Sequence, residues 1–353
     1  MKRTVVVLAL VLAVVLGCGA GVYAAVALHR HQQTRPAPGD TGSASAKPAL
    51  FYYADSTIHD GRQQVPVTLS REYDVSSLQR VGSGWLIVQL HSEGGEQEDY
   101  YGTFVYPDGR TWDLGPFGLN WAVDSADRIL FSPQSWSWAR ADPASHRISF
   151  LDIVDGPGEE LPYMQTGDPA EWLQVAGDDV ITGWSTPKDG RMVRTETDGF
   201  THTEVGPTGA SRPNVSPDGN WMVDNPVRDS QAQCLAGGSL TGNDWWESCD
   251  HLRLDHAAPY APDSKHLLAY DHTSRPREGF GELVVLDART GRPSWTVASP
   301  EGSYDAAWVD GRTISLLAHP DGDDSVSVLY TAGADGAPSK ITEIPGTAVL
   351  GRA

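Results

Sequence analysis

The feature that most constrains this chain is a turn that returns about every 45 residues. From residue 50 onward, β-rich stretches end in a glycine at Gly61, Gly109, Gly156, Gly199, Gly291 and Gly336. The steps are 48, 47, 43, 92 and 45 residues, and the step of 92 conceals one turn near position 245, for which Gly242-Asn243 is the candidate. Asp-Gly between apolar runs marks a hairpin, because both central positions of the favoured turn need φ > 0. A short strand follows each glycine, as in RQQVPVTL, RTWDLG and RPSWTVA. A second set of turns, at Gly84, Asp127, Asp179, Gly219, Ser264 and Gly311, precedes the first set by 20 to 29 residues each time.

Every unit therefore holds two hairpins, or four strands. Four-stranded units of 40 to 50 residues in series are the signature of an all-β fold, the β-propeller, here with about seven blades. The unit at Leu50 to Leu69 lacks its first hairpin, and only the C-terminal stretch from Gly346 to Ala353 remains to complete it. A blade assembled from both chain ends closes the ring and protects its sheet edges. Six blades plus an N-terminal hairpin is the alternative.

The remaining 48 residues are of another kind. Thr4 to Leu28 is uncharged and follows Lys2-Arg3. As a helix it would be about 37 Å long, enough to cross a bilayer. Three readings fit: an uncleaved signal anchor; a signal peptide cut after Ala25-Val26-Ala27; or a lipobox at Val15-Leu16-Gly17-Cys18, with Cys18 lipidated. All three export the rest of the chain, and the leading positive charge keeps the N-terminus in the cytoplasm. Residues 29–48 are polar and rich in Pro, Gly, Ser and Ala, a flexible tether about 25 Å long on average. The expected organisation is thus a hydrophobic helical segment at 1–28, a linker at 29–48 and a propeller domain at 49–353. The expected location is the cell membrane, with the propeller on its outer side.

Ser216-Pro217-Asp218-Gly219, followed by Asn220-Trp221-Met222, resembles the repeat of the TolB-like propellers, a WD-repeat-like type exported in bacteria. Ala261-Pro262-Asp263-Ser264 is a weaker copy, and Val309-Asp310-Gly311 keeps the turn alone. LDARTGRPSW at 286–295 resembles, once, the tryptophan-docking repeat of quinoprotein-like propellers. What these short motifs imply is fold and export, not an activity. Arginine outnumbers lysine 21 to 5, consistent with a bacterial genome of high GC content.

Function is expected on loops held by the rigid scaffold. The hairpin turns are tight, whereas the loops between hairpins are longer: 91–99, 132–146, 225–238, 271–281 and 319–324. Candidate binding residues on that face are Glu96 and Glu98 in the first, Trp136, Trp138 and Arg140 in the second, and Arg275 and Arg277 in the fourth. Trp136 and Trp138, two apart, point the same way in a strand and would stack on a sugar or peptide, or else pack into the sheet. The acidic loops lack any calcium-loop spacing, so no metal site is expected. Cys234 and Cys249, 15 apart in an exported domain, suggest a disulfide closing the unit with the hidden turn, worth roughly 3 kcal/mol in the chain-entropy picture.

No Gly-x-Ser-x-Gly, His-Glu-x-x-His or glycine-rich phosphate loop occurs, so neither catalytic residues nor a cofactor can be assigned. Residues 50–353 hold 21 Lys and Arg against 45 Asp and Glu, a net charge of −24. That argues against nucleic acid and anionic headgroups as partners. The expectation is a membrane-tethered module that binds a protein, peptide or glycan. A propeller enzyme acting on envelope carbohydrate or peptide, or a quinoprotein-like oxidoreductase, is the alternative.

Overall fold

The Asp-Gly corners at Gly61, Gly109, Gly219 and Gly311 each turn a hairpin of an all-β, propeller-like arrangement. Gly156, Gly199 and Gly336 lie outside the described residues, and the second hairpin of the 121–151 sheet turns at 143–146 rather than at Gly156. The structure, a computed structural model, describes residues 50–352 except 93–97, 119–120, 135–136, 152–171, 177–178, 185–190, 196–201, 206–213, 225–226, 229–231, 243, 250–251, 254–258, 272–281, 299–302, 321–324 and 335–336, with backbone alone between 172 and 205. The N-terminal hydrophobic segment and the tether lie outside the described residues. Among those described, no helix is long and apolar enough to cross a membrane.

Among the described residues, five antiparallel sheets have four strands each, built from residues 121–151, 172–205, 214–248, 252–297 and 303–345, and a two-stranded ribbon, Val227–Arg228 with Ala232–Gln233, is inserted in the third. A further sheet has eight strands and combines two four-stranded parts. One part is Asp74–Val81, Gly84–Ser92, Glu98–Val105 and Thr111–Phe117. The other takes Phe51–Ala54, Thr57–Asp60 and Gln63–Pro66 from one end of the chain and Val349–Arg352 from the other. Val349–Arg352 pairs antiparallel with Phe51–Ala54, Tyr52 opposite Leu350 and Tyr53 opposite Val349. A parallel contact of two residues, Gly351 with Leu78 and Arg352 with Gln79, joins the parts.

The core lies between neighbouring sheets. Phe51, Ile58, Val65 and Val67 pack against Leu78, Trp85, Ile87 and Val105. Ala54, Ala348 and Leu350 pack against Ala307, Leu317, Leu329 and Ile344, so the chain ends are sealed to the 303–345 sheet as well as to the 74–117 part. Because both faces of a sheet meet a neighbour, the middle strands are apolar without alternation: Leu283–Asp287 and Ile314–His319 are buried almost throughout. Each such Leu, Ile or Val contributes about 1.5–3 kcal/mol on burial.

Successive first-hairpin turns also touch. The Asp127 carboxylate accepts a hydrogen bond from Gly82 N at 3.0 Å, and Asp218 N donates to Ser264 Oγ at 3.0 Å. A Cβ on Gly311 would meet Asp263 Oδ2 at 2.5 Å. The repeat is thus read between units as well as within them. Asp127, Gly219 and Ser264 hold the left-handed corner, with φ of 58°, 69° and 60°.

Three expectations are revised or located. The first turn of the 74–117 part is Gly82-Ser83, and Gly84 begins the next strand. Gly84 is demanded by packing, since a Cβ there would meet Phe104 Cζ at 2.4 Å. The segment 132–146 is not a long loop but two strands, Ile129–Gln134 and Ser137–Asp142, followed by a tight turn. The concealed corner near 245 is the link between Leu235–Ser239 and Trp245–Ser248. In the quinoprotein-like stretch the ring docked on the turn is Trp246, from the preceding sheet, while Trp295 packs onward against Trp308 of the next. Trp246 lies over Gly291 and donates from Nε1 to Ala288 O at 3.2 Å.

Two outcomes check this packing. Deleting residues 349–353 uncovers Tyr52, Tyr53 and the 303–345 sheet, so thermal unfolding should move to much lower temperature and lose its cooperativity. An unchanged melting curve would refute closure by the C-terminal strand. Trp246→Ala should destabilise by about 3 kcal/mol, and Trp246→Phe by about 1 kcal/mol through the lost hydrogen bond, both read by denaturant unfolding.

Candidate functional site

In each sheet the two hairpin turns lie at one end and the link between hairpins at the other. The chain enters at the turn end, where Gly61 N donates to Leu50 O at 3.3 Å. Leu50 also neighbours the end of Val349–Arg352, given the pairing of Tyr52 with Leu350. The irregular links therefore occupy the opposite face, which is the candidate binding face.

Its best-defined cluster sits where the connector 67–73 enters the 74–117 part. Gln89, wholly buried, donates from Nε2 to Arg71 O and Tyr73 O, both at 2.9 Å, and so fixes the connector's backbone. The Tyr73 ring stacks on His91 with centroids 4.2 Å apart and lies 5.2 Å from Tyr101. The Arg71 guanidinium stands 4.4 Å over Tyr101 and reaches the Asp113 carboxylate at 2.9 and 3.0 Å. Ser70 Oγ donates to Asp113 Oδ2 at 3.3 Å. Tyrosine, arginine and histidine held rigidly at a rim supply broad contact area with few side-chain torsions to freeze, as at the energetic centres of protein interfaces. The sequence gives little sign of this cluster, because Arg71 and Tyr73 precede the strand and meet Tyr101 and Asp113 only through pairing register.

The sequence-derived candidates fare differently. Glu98 opens a strand at the edge of the first irregular link, its side chain outside the described residues. Glu96, Trp136, Arg275 and Arg277 lie outside the described residues altogether. Trp138 is 7% exposed and belongs to the sheet interior, so it takes the packing role. Arg140 follows in the same strand, its Nε 3.8 Å from the buried Asp124 carboxylate, which Arg128 also engages at 2.7 Å. Asp124 further accepts from Ala126 N and Arg128 N, which makes it the organiser of its turn.

Cys234 and Cys249 form a disulfide flanking the hairpin 235–248 at the irregular-link end. Glu247 lies near both, but sulfurs bonded to each other leave no thiolate for a metal. Ser327 Oγ lies 3.4 Å from His319 Nδ1, a pairing that invites a nucleophilic reading. Ser327 is fully buried, donates to Gly346 O at 2.9 Å and accepts from Ala348 N at 3.2 Å. It pins the approach to the closing strand.

Among the carboxyls held below their ordinary range are Asp113 and Asp218, both partly buried. Burial works to raise Asp113, but hydrogen bonds from Arg71, Gly115 N and Ser70 outweigh it. Burial likewise opposes Asp218, and bonds from Ser216, Asn220 and Ser264 prevail. Both therefore favour the folded state when ionised. Their contribution is complete above the ordinary value of 3.8 and is lost as pH falls below it. Melting temperature scanned from about pH 6 to about pH 2.5 should fall at the acid end, and Asp218→Asn should flatten that fall. An acid limb unchanged by the substitution would contradict the assignment.

Among solved structures, the chain is similar to TolB from Acinetobacter baumannii, at 12% identity over 78% of this chain and 68% of that one, TM-score 0.44. It is also similar to the Cps50 (Swd1) β-propeller domain of Myceliophteria thermophila, at 8% over 78% and 88%, TM-score 0.47. A third is the β-propeller domain of the Trilobed protease from Pyrococcus furiosus, at 10% over 79% and 98%, TM-score 0.45. No protein-family model and no curated protein matches the sequence.

Proposed function

We propose that this protein is a seven-bladed propeller, tethered outside the cytoplasmic membrane by its N-terminal segment, that binds a protein, peptide or glycan through the irregular-link face. The count of seven takes the eight-stranded sheet as two blades. The join between its halves is parallel and two residues long, whereas each half is an antiparallel four-stranded unit like the others.

One observation carries the reading: Leu50 enters beside Gly61, on the turn face. A tether attached there leaves the opposite face, with Arg71, Tyr73, His91 and Tyr101, turned away from the anchoring surface. The net charge of −24 over residues 50–353 keeps such a domain off anionic headgroups, so the face is free for a partner in the envelope. A rigid ring suits binding, because its loops need little ordering on association.

The test places a photo-crosslinking residue at exposed Glu72 on the irregular-link face or at exposed Arg62 on the turn face, in intact cells. A defined adduct from position 72 and none from position 62 is expected. Equal adducts from both, or from position 62 alone, would overturn the orientation. Arg71→Ala should weaken the adduct at 72 severalfold without moving the melting temperature by more than a few degrees.

A further inference from the structure

The outermost strand of a blade presents a row of unpaired backbone groups, and natural sheets blunt such edges with proline, lysine, bulges or brevity. Most outer strands described here do so. Gln63–Pro66 ends in proline. Thr111–Phe117 carries Pro116 and a register shift. Pro293–Val297 opens with proline and is also shifted. Ser339–Pro345 combines Lys340, a register shift and Pro345. Trp245–Ser248 is four residues long and is followed by the disulfide, and His202–Val205 is equally short.

Arg147–Leu151 is built differently. It pairs with Ser137–Asp142 at five consecutive positions without a shift. It contains no proline and no lysine, and its only charge is Arg147, at its first position. Residues 147–150 are all exposed. Of the three large hydrophobic residues exposed among the described residues, two are here, Ile148 at 42% and Phe150 at 72%. They stand two apart on one face, opposite Ala141 and Ala139, so the apolar surface is presented at the spacing of a β-strand.

We propose that the outer edge of Arg147–Leu151, which pairs with no further strand among the described residues, takes up an extended, cationic peptide segment of a partner protein as an added strand, separately from the irregular-link face. Backbone groups of the edge supply the hydrogen bonds, and Ile148 and Phe150 receive alternate apolar side chains. Charge selects the occupant. A domain carrying −24 over residues 50–353 repels a second copy of itself and attracts a basic chain. Area points the same way: two copies meeting along a single five-residue edge fall short of the roughly 1,200 Å² of a stable interface, a limit that a flexible peptide relaxes by wrapping.

The test uses the full chain in detergent and a fluorescent nine-residue peptide of alternating lysine and valine, with the alternating glutamate and valine peptide as control. The lysine peptide alone should bind and slow amide exchange at residues 147–151. Phe150→Lys and Ile148→Lys, both at exposed positions that leave the fold intact, should each weaken binding at least tenfold with unchanged melting temperature. Binding insensitive to both substitutions would overturn the proposal. So would protection of 147–151 before any peptide is added, which would show the edge covered by the chain itself. A dimer that Phe150→Lys converts to monomer would assign the edge to a second copy and overturn it equally.

Discussion

Two backbone pairings, Tyr52 with Leu350 and Tyr53 with Val349, hold the first and last strands of this fold together. Apart from the two-residue parallel join of Gly351 and Arg352 to Leu78 and Gln79, the other strand pairings described are local in sequence: hairpin follows hairpin, and each sheet packs on the next. Without the closing pair, the Phe51–Pro66 strands would lack an inner neighbour and the 303–345 sheet would expose Leu317, Leu329 and Ile344. With it, one apolar cluster seals both. Side-chain contacts reinforce the seam. Arg80 engages Asp60 and lies over Phe51 and Trp85 at 4.8 and 5.3 Å, and Arg352 reaches Asp305 at 3.9 Å. A Cβ on Gly351 would strike the Phe51 ring at 2.2 Å, so the close approach at the seam depends on glycine.

The same closure decides orientation. Because the final strand runs antiparallel beside the first, both ends of the domain emerge on the turn face. The links between hairpins project from the other face. Rigidity comes from burial between sheets and from turn-to-turn contacts such as Asp127 to Gly82. The Tyr73–His91–Tyr101 stack, its backbone fixed by Gln89, is held at the rim without its own loop having to order itself.

The repeat was legible because its corners carry a backbone requirement. Asp127, Gly219, Ser264, Gly109 and Gly291 all have positive φ, and glycine, asparagine, aspartate and serine are the residues that tolerate such corners. The Cys234–Cys249 bridge and the completion of the first unit by the last strand were legible for a related reason, since both follow from counting what a unit lacks. The candidate site was not. The spacing of Trp136 and Trp138 left ligand stacking and sheet packing equally open for Trp138, and only its place in an interior strand of its sheet, with the ring buried, decides for packing. The Arg71–Tyr73 cluster was missed for the converse reason, as it joins residues up to 42 apart in sequence through register alone. The exposed edge was hidden in the same way, because the alternation of Ile148 and Phe150 carries no sign of which strand of the sheet is outermost.

Hydrogen exchange of the seam tests the central claim most directly. If the two chain ends form an integral blade, amides in 51–54 and 349–352 exchange as slowly as those of the buried strand 283–287, at the rate of global unfolding. Exchange in 349–352 that is orders of magnitude faster, with 283–287 still protected, would show the last strand to be a frayed end, and the ring to be held by something else.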